Sequence, residues 1–226
     1  WAVLRNDIKL IVCGSATSWM INNLIRNRGG LHNRLTHHLI VKPFTLHECE
    51  EYFKAYHFGY SRKQIAECYM VMGGIPYYLS MMDKSKSLAQ NIDQLFFADN
   101  AELKDEFNDL YRALFKKSAD HIAVVTALAT KGMGMTRQEL VKASGGKDNG
   151  AFSTVLEELE QCGFIRLYEP FSTANKMTSD IRQKRNTLFQ LVDFYTLFYF
   201  RFIKHNKYQD SSFWSSSQNS QLYHTW

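Results

Sequence analysis

Proline is scarce in this chain, with 3 residues in 226, where average usage of about 5% would give roughly eleven. With so few breaks, modest glycine and many Leu, Lys, Glu and Ala, the expected fold is mainly α with small β. Cysteine is also sparse. Cys13, Cys49, Cys68 and Cys162 stand singly, with no C-x-x-C pair. That excludes a disulfide framework or zinc knuckle and leaves reduced, buried thiols, as expected of a cytoplasmic protein. No apolar run reaches the roughly 18–20 residues that span a bilayer. The most apolar stretch, Phe194 to Phe200, is bounded by Asp193 and Arg201 and reads as a buried helix, so no membrane partner is expected. The first residues do not read as a signal peptide, which a trimmed chain would not show in any case. The chain opens at Trp1 without Met and stops at Trp226, which reads as a piece of something longer.

Several catalytic signatures are missing too. No G-x-x-x-x-G-K-[ST] phosphate loop occurs, and Gly145-Gly146-Lys147-Asp148 fails in spacing and in the final hydroxyl. His47-Glu48-Cys49-Glu50-Glu51 lacks the second His of H-E-x-x-H, so no metal site is expected. Gly14-Ser15-Ala16 is not G-x-S-x-G, which argues against a hydrolase nucleophile.

What is present begins with ordinary globular composition. Hydrophobic residues make up 45% and charged residues 22%, which rules out wholesale disorder. The net charge of +5, from 27 Lys and Arg against 22 Asp and Glu, permits duplex DNA as a partner without requiring it. Ile8 to Cys13 reads as a strand buried on both faces, followed by a helix from Ala16 to Arg28 with Ser15 or Thr17 as its cap. Residues 37–41 read as a second strand, ended by Pro43.

Helical signals then take over. Thr45-Leu46-His47-Glu48 fits a capping box. Ser61 to Met72 carries Ile65, Cys68, Tyr69 and Met72 at i, i+3, i+4 and i+7 and stops at Gly73-Gly74, and Pro76 opens the next helix. Further helices are expected over 87–97 and 100–116. Three more follow over 119–130, 136–143 and 149–162, Thr136 capping the second with Glu139 three residues on. Phe164 to Tyr168 and Thr187 to Val192, flanking a polar stretch, read as a hairpin. Three helices and a hairpin give winged helix-turn-helix order, with Asn149 to Cys162 as the recognition-type helix. Residues 211–220 read as a polar connection.

In sequence order, Leu10-Ile11-Val12-Cys13-Gly14-Ser15-Ala16, Asn33-Arg34-Leu35, Val41-Lys42-Pro43-Phe44-Thr45-Leu46-His47-Glu48 and Gly73-Gly74-Ile75-Pro76-Tyr77-Tyr78-Leu79 resemble the archaeal-type ATPases. These form a signal-transduction (STAND-like) branch of the AAA+ P-loop ATPases. The resemblance implies a C-terminal remnant of the ATPase core at 1–47, a helical lid at 48–116, a winged helix at 117–207 and a linker at 208–226 toward an absent C-terminal domain. It implies nucleotide contact by Ser15 as a sensor at a strand end, by Arg34 in its own chain or across a subunit interface, and by Gly74 and Pro76 of the lid's G-x-P element.

ATP and Mg²⁺ would be cofactors of the intact protein, and other domains of that protein or a homo-oligomer its partners. Without a phosphate loop or an acidic strand end for Mg²⁺, this portion is not expected to hydrolyse ATP. The plainer alternatives remain a helix cap for Ser15, helix punctuation for Gly74 and Pro76, and a surface role for Arg34. The alternative function is a non-enzymatic winged-helix DNA-binding regulator or a protein-interaction module. For DNA, Lys147, Asn149 and Ser153 at the third helix and Lys176, Arg182, Lys184 and Arg185 in the wing are the candidate contacts, opposed by Glu157, Glu158 and Glu160.

Overall fold

The computed structural model describes residues 11, 13–14, 37, 39–169, 186–204 and 210–226. The two strands and the helix expected within residues 8–41 lie largely outside that set. From Thr45 onward helices dominate, and four of them start at capping boxes. Thr45 with Glu48 opens α1 (Leu46–Ala55), and Ser61 with Gln64 opens α2 (Arg62–Met72). Pro76 sits in the first turn of α3 (Pro76–Ser80), where its missing N–H costs nothing. Ser87 with Gln90 opens α4 (Leu88–Ile92), which widens into a π turn over Asp93–Phe97. That widening turns Leu95, Phe96 and Phe97 inward together. The next helix, α5 (Glu106–Leu114), is shorter than the span expected from the sequence.

A three-helix module follows. It consists of α6 (Ser118–Ala129), β1 (Met135–Thr136), α7 (Arg137–Ser144), α8 (Gly150–Gln161), β2 (Ile165–Tyr168) and β3 (Leu188–Leu191). The strands form an antiparallel sheet in the order β1-β3-β2, with Leu167 opposite Phe189 and Met135 on Phe189's other side. The hairpin was legible; β1 was not. Two residues carry no alternation, and Thr136 both pairs with Leu188 and caps α7. Gly134 admits this close pairing, since it has φ +86 and a Cβ there would lie 2.8 Å from the Phe189 carbonyl oxygen.

After β3 the chain returns to the first unit. Helix α9 (Phe194–Phe198), continued by a π turn over Tyr199–Ile203, lies on α2 and α4 rather than on the module. Its rings meet Tyr69, Tyr78, Phe96 and Phe97, with Phe194 5.4 Å from Tyr69 and Phe198 5.2 Å from Phe96. The sequence reading placed these residues with the module. Aromatic burial decides otherwise, because the exposed apolar side of α2 and α4 is what α9 covers. Residues 211–220, read as a polar connection, instead contain α10 (Phe213–Ser217), followed by α11 (Gln221–His224). Trp214 is 3% exposed and packs on Phe198 and Phe202. One apolar core therefore runs from Cys49 to Trp214.

Candidate functional site

The turn between α2 and α3 carries two of the sequence's candidate nucleotide contacts. Gly73 closes α2 with φ +64, a conformation that disfavours side chains, and its N–H reaches the Tyr69 carbonyl at 2.8 Å. Gly74 does something different. Its carbonyl accepts the Phe44 N–H at 2.7 Å, and a Cβ at Gly74 would lie 1.8 Å from the Phe44 carbonyl oxygen. The glycine is thus required by a backbone crossing. Two elements singled out in the sequence, Val41 to Glu48 and Gly73 to Leu79, meet here.

Around this crossing runs an aromatic row. Phe44 lies 6.1 Å from Tyr52, and Tyr52 4.5 Å from Tyr56. Tyr56 and Tyr77 are exposed, as are Leu39, Ile40 and Val41 in the segment leading in. The space beside the Gly74 Cα is filled by the Phe44 carbonyl oxygen. Ser15 and Arg34 lie outside the described residues. Gly74 and Pro76 are the two candidates that can be placed, and local packing accounts for both.

The start of α8 carries the candidate nucleic-acid contacts. Asn149 Oδ1 accepts the Phe152 N–H at 3.0 Å, so its side chain caps the helix. Ser153 Oγ donates to the Asn149 carbonyl at 3.5 Å. Lys147 is exposed, whereas the nearby Asp148 pairs with Arg137 at 2.8 Å. Arg137 also lies over the Phe152 ring, 5.4 Å from its centroid, and donates to the Asn149 carbonyl. No motif in the sequence pointed to this Arg137 clasp between α7 and α8. The outer face of α8 shows Thr154, Glu157 and Glu160. Lys176, Arg182, Lys184 and Arg185 lie outside the described residues.

Glu158, counted in the sequence as opposing DNA, turns inward. Its carboxylate meets His121 Nε2 at 2.8 Å, while His121 Nδ1 donates to the Lys117 carbonyl at 3.0 Å. The imidazole is 2% exposed and stacks on Phe115 at 3.9 Å. This partly buried pair joins α6 to α8.

A second polar cluster lies where α3, α5 and α9 meet. Tyr78 donates to Glu106 at 2.9 Å, Tyr195 packs 5.5 Å from Tyr78, and Tyr111 meets Thr196 at 3.4 Å. Burial, reinforced by Glu106, pushes the Tyr78 phenol far above its usual range, and burial does the same to Tyr195. Desolvation raises the Asp193 carboxyl, partly offset by its bonds from Thr196. Both phenols therefore stay protonated near neutral pH, which suits a packing junction better than acid–base chemistry.

Among the described residues, no group of three His, Cys, Asp or Glu side chains is placed to hold a metal ion. No described helix is long and apolar enough to cross a membrane. Compared with family models, curated proteins and solved structures, the chain finds no match in any of the three.

Proposed function

We propose that this chain is the lid and winged-helix portion of an AAA+/STAND-like P-loop ATPase. In this reading the helices from Leu46 to Leu114 are the lid and residues 118–191 the winged helix. The observation that carries the reading is the crossing of Phe44 and Gly74. It joins in space two elements whose order along the chain resembles that family. The helix, strand, helix, helix and hairpin order of the module adds support. ATP and Mg²⁺ belong here to a phosphate-loop core outside this stretch, and no hydrolytic step is assigned to these residues.

The module serves in this reading as a packing element toward other domains. Duplex DNA finds less support, because the outer face of α8 carries Glu157 and Glu160 and the cap residue Asn149 is already engaged. The test is made on the full-length protein. It is expected to bind ATP through a phosphate-loop lysine ahead of residue 1, within about one domain's length of roughly 100–150 residues. Nucleotide should then alter protease sensitivity near Phe44. A full-length chain with no phosphate loop and no ATP binding overturns the reading, and tight salt-dependent binding of duplex DNA by that chain would favour the regulator instead.

A further inference from the structure

Among the described residues, the chain leaves the helical unit once, after Phe115, and returns once, at Val192. Both crossing points are held by the same module residue. The Phe164 ring lies 4.8 Å from Tyr111 and 6.0 Å from Phe115, at the end of α5. The Phe164 carbonyl accepts the N–H groups of Val192 at 2.9 Å and Asp193 at 3.3 Å, where the chain turns back. Its own N–H donates to the Leu159 carbonyl at 2.9 Å, tying it to the end of α8. Phe164 is buried, as are Tyr111, Phe115 and Thr196 around it. Beyond the return, Asp193 caps α9 through the Thr196 N–H at 2.8 Å, and Tyr111 reaches the Thr196 hydroxyl.

We infer that Phe164 is a pin that locks the three-helix module onto the helical unit, so that the two open and move as one body instead of hinging about residues 115–118 and 192–193. A hinge needs its crossing strands free to change dihedrals and few buried contacts across it. Here the outgoing crossing is ring-packed on Phe164, with Phe115 also stacked on His121, and the return is hydrogen-bonded to the Phe164 backbone carbonyl. The inference goes beyond the ATPase reading: if nucleotide drives a motion, lid and module travel together. It does not depend on that reading, because its test uses no nucleotide.

The test is native-state hydrogen exchange of this chain, followed by mass spectrometry in increasing sub-denaturing urea. The slowest amides of α2 and those of α6 and α8 should exchange at rates within about threefold of each other and converge together. Replacement of Phe164 by Ala should release the module selectively, its slowest amides exchanging at least about tenfold faster than those of α2. Should Phe164→Ala fail to fold, Phe164→Leu carries the same comparison, with Tyr111→Phe removing only the hydroxyl contact to Thr196. Separate opening of the module in the unaltered protein overturns the inference. So does a Phe164 variant that speeds exchange equally in both parts, since that marks an ordinary core residue.

Discussion

The Asp93 carboxylate accepts the backbone N–H of Trp214 at 2.7 Å, across 121 residues of chain. The same carboxylate takes the Ser215 N–H at 3.0 Å and the Ser215 hydroxyl. Ser212, at the cap position of α10, makes no capping bond with its own side chain, so Asp93 supplies the cap from α4. This fastening holds Trp214 against Phe198 and Phe202 and brings the last helices onto the helical unit.

Replacing Asp93 with Ala should therefore destabilise the protein by about 1–3 kcal/mol, the usual range for removing an acceptor from buried donors. Asp93→Asn keeps one acceptor oxygen and should lose less than the Ala variant. Urea unfolding followed by tryptophan fluorescence measures both. Equal stability of Asp93→Ala and the unaltered chain would show that α10 is not fastened in this way.

Gly74 and Gly59 make a matched pair for backbone crowding. A Cβ at Gly74 would fall within 1.8 Å of the Phe44 carbonyl oxygen, whereas one at Gly59 would meet nothing within 4 Å. Gly74→Ala must push the two segments apart and sacrifice the Phe44–Gly74 hydrogen bond. The expected loss is at least about 1–3 kcal/mol, the range for overpacking a filled site. Gly59→Ala should be neutral or slightly stabilising, because it restricts the unfolded chain. A Gly74→Ala variant as stable as Gly59→Ala would remove the packing explanation for this glycine.

Local signals in the sequence carried the helices well. Thr45 and Thr136 cap helices, and Ile165–Tyr168 pairs with Leu188–Leu191 as two runs flanking a polar stretch suggest, because caps and short strand runs are local physics. Ser61, read as the first residue of its helix, is instead its cap. Long-range decisions were not legible. Nothing in Asp93 announces a partner at Trp214, and nothing in Phe194 to Phe200 says which unit its apolar face will cover. At the candidate site, Gly74 and Pro76 could be picked out as a turn, but the close passage of Phe44 that demands the glycine depends on tertiary structure. Asn149 and Ser153 looked free for a ligand and are engaged in the start of their own helix. Of the cationic candidates, Lys147 is exposed, while the rest lie outside the described residues.

The thiols should separate by burial. Cys13 is exposed, while Cys49 and Cys68 are buried. Burial pushes the Cys49 thiol up to about 11 and raises Cys68 further, with its sulfur 3.7 Å from that of Met82. Since the thiolate is the reacting form, Cys13 should be alkylated by iodoacetamide at pH 8 at least about a hundredfold faster than either. Peptide mapping over time reads the order. Rapid labelling of Cys49 or Cys68 in the folded protein would contradict the packing of α1 against α2.

Two carboxylates should give opposite responses to pH. Glu139 bonds Lys131 and the Thr136 N–H and hydroxyl, which hold its carboxyl down at about 2, against an ordinary 4.5. A depressed folded value means that its contribution is complete above pH 4.5 and fades as pH falls through about 2. Glu139→Gln keeps a capping-box residue at that position but should flatten this acid-side loss. Asp193 is the reverse case. Desolvation raises it above 3.8, so the folded state binds the proton more tightly than the unfolded chain and stability falls as pH rises from that value. Asp193→Asn still offers an oxygen to the Thr196 N–H but has no charge to desolvate. Relative to the unaltered protein it should therefore gain stability between about pH 4 and 7. Denaturant titrations of Glu139→Gln from about pH 2 to 5 and of Asp193→Asn from about pH 4 to 7 decide the matter, and a difference from the unaltered protein that stays constant with pH across its own range would exclude the assigned origin for that residue.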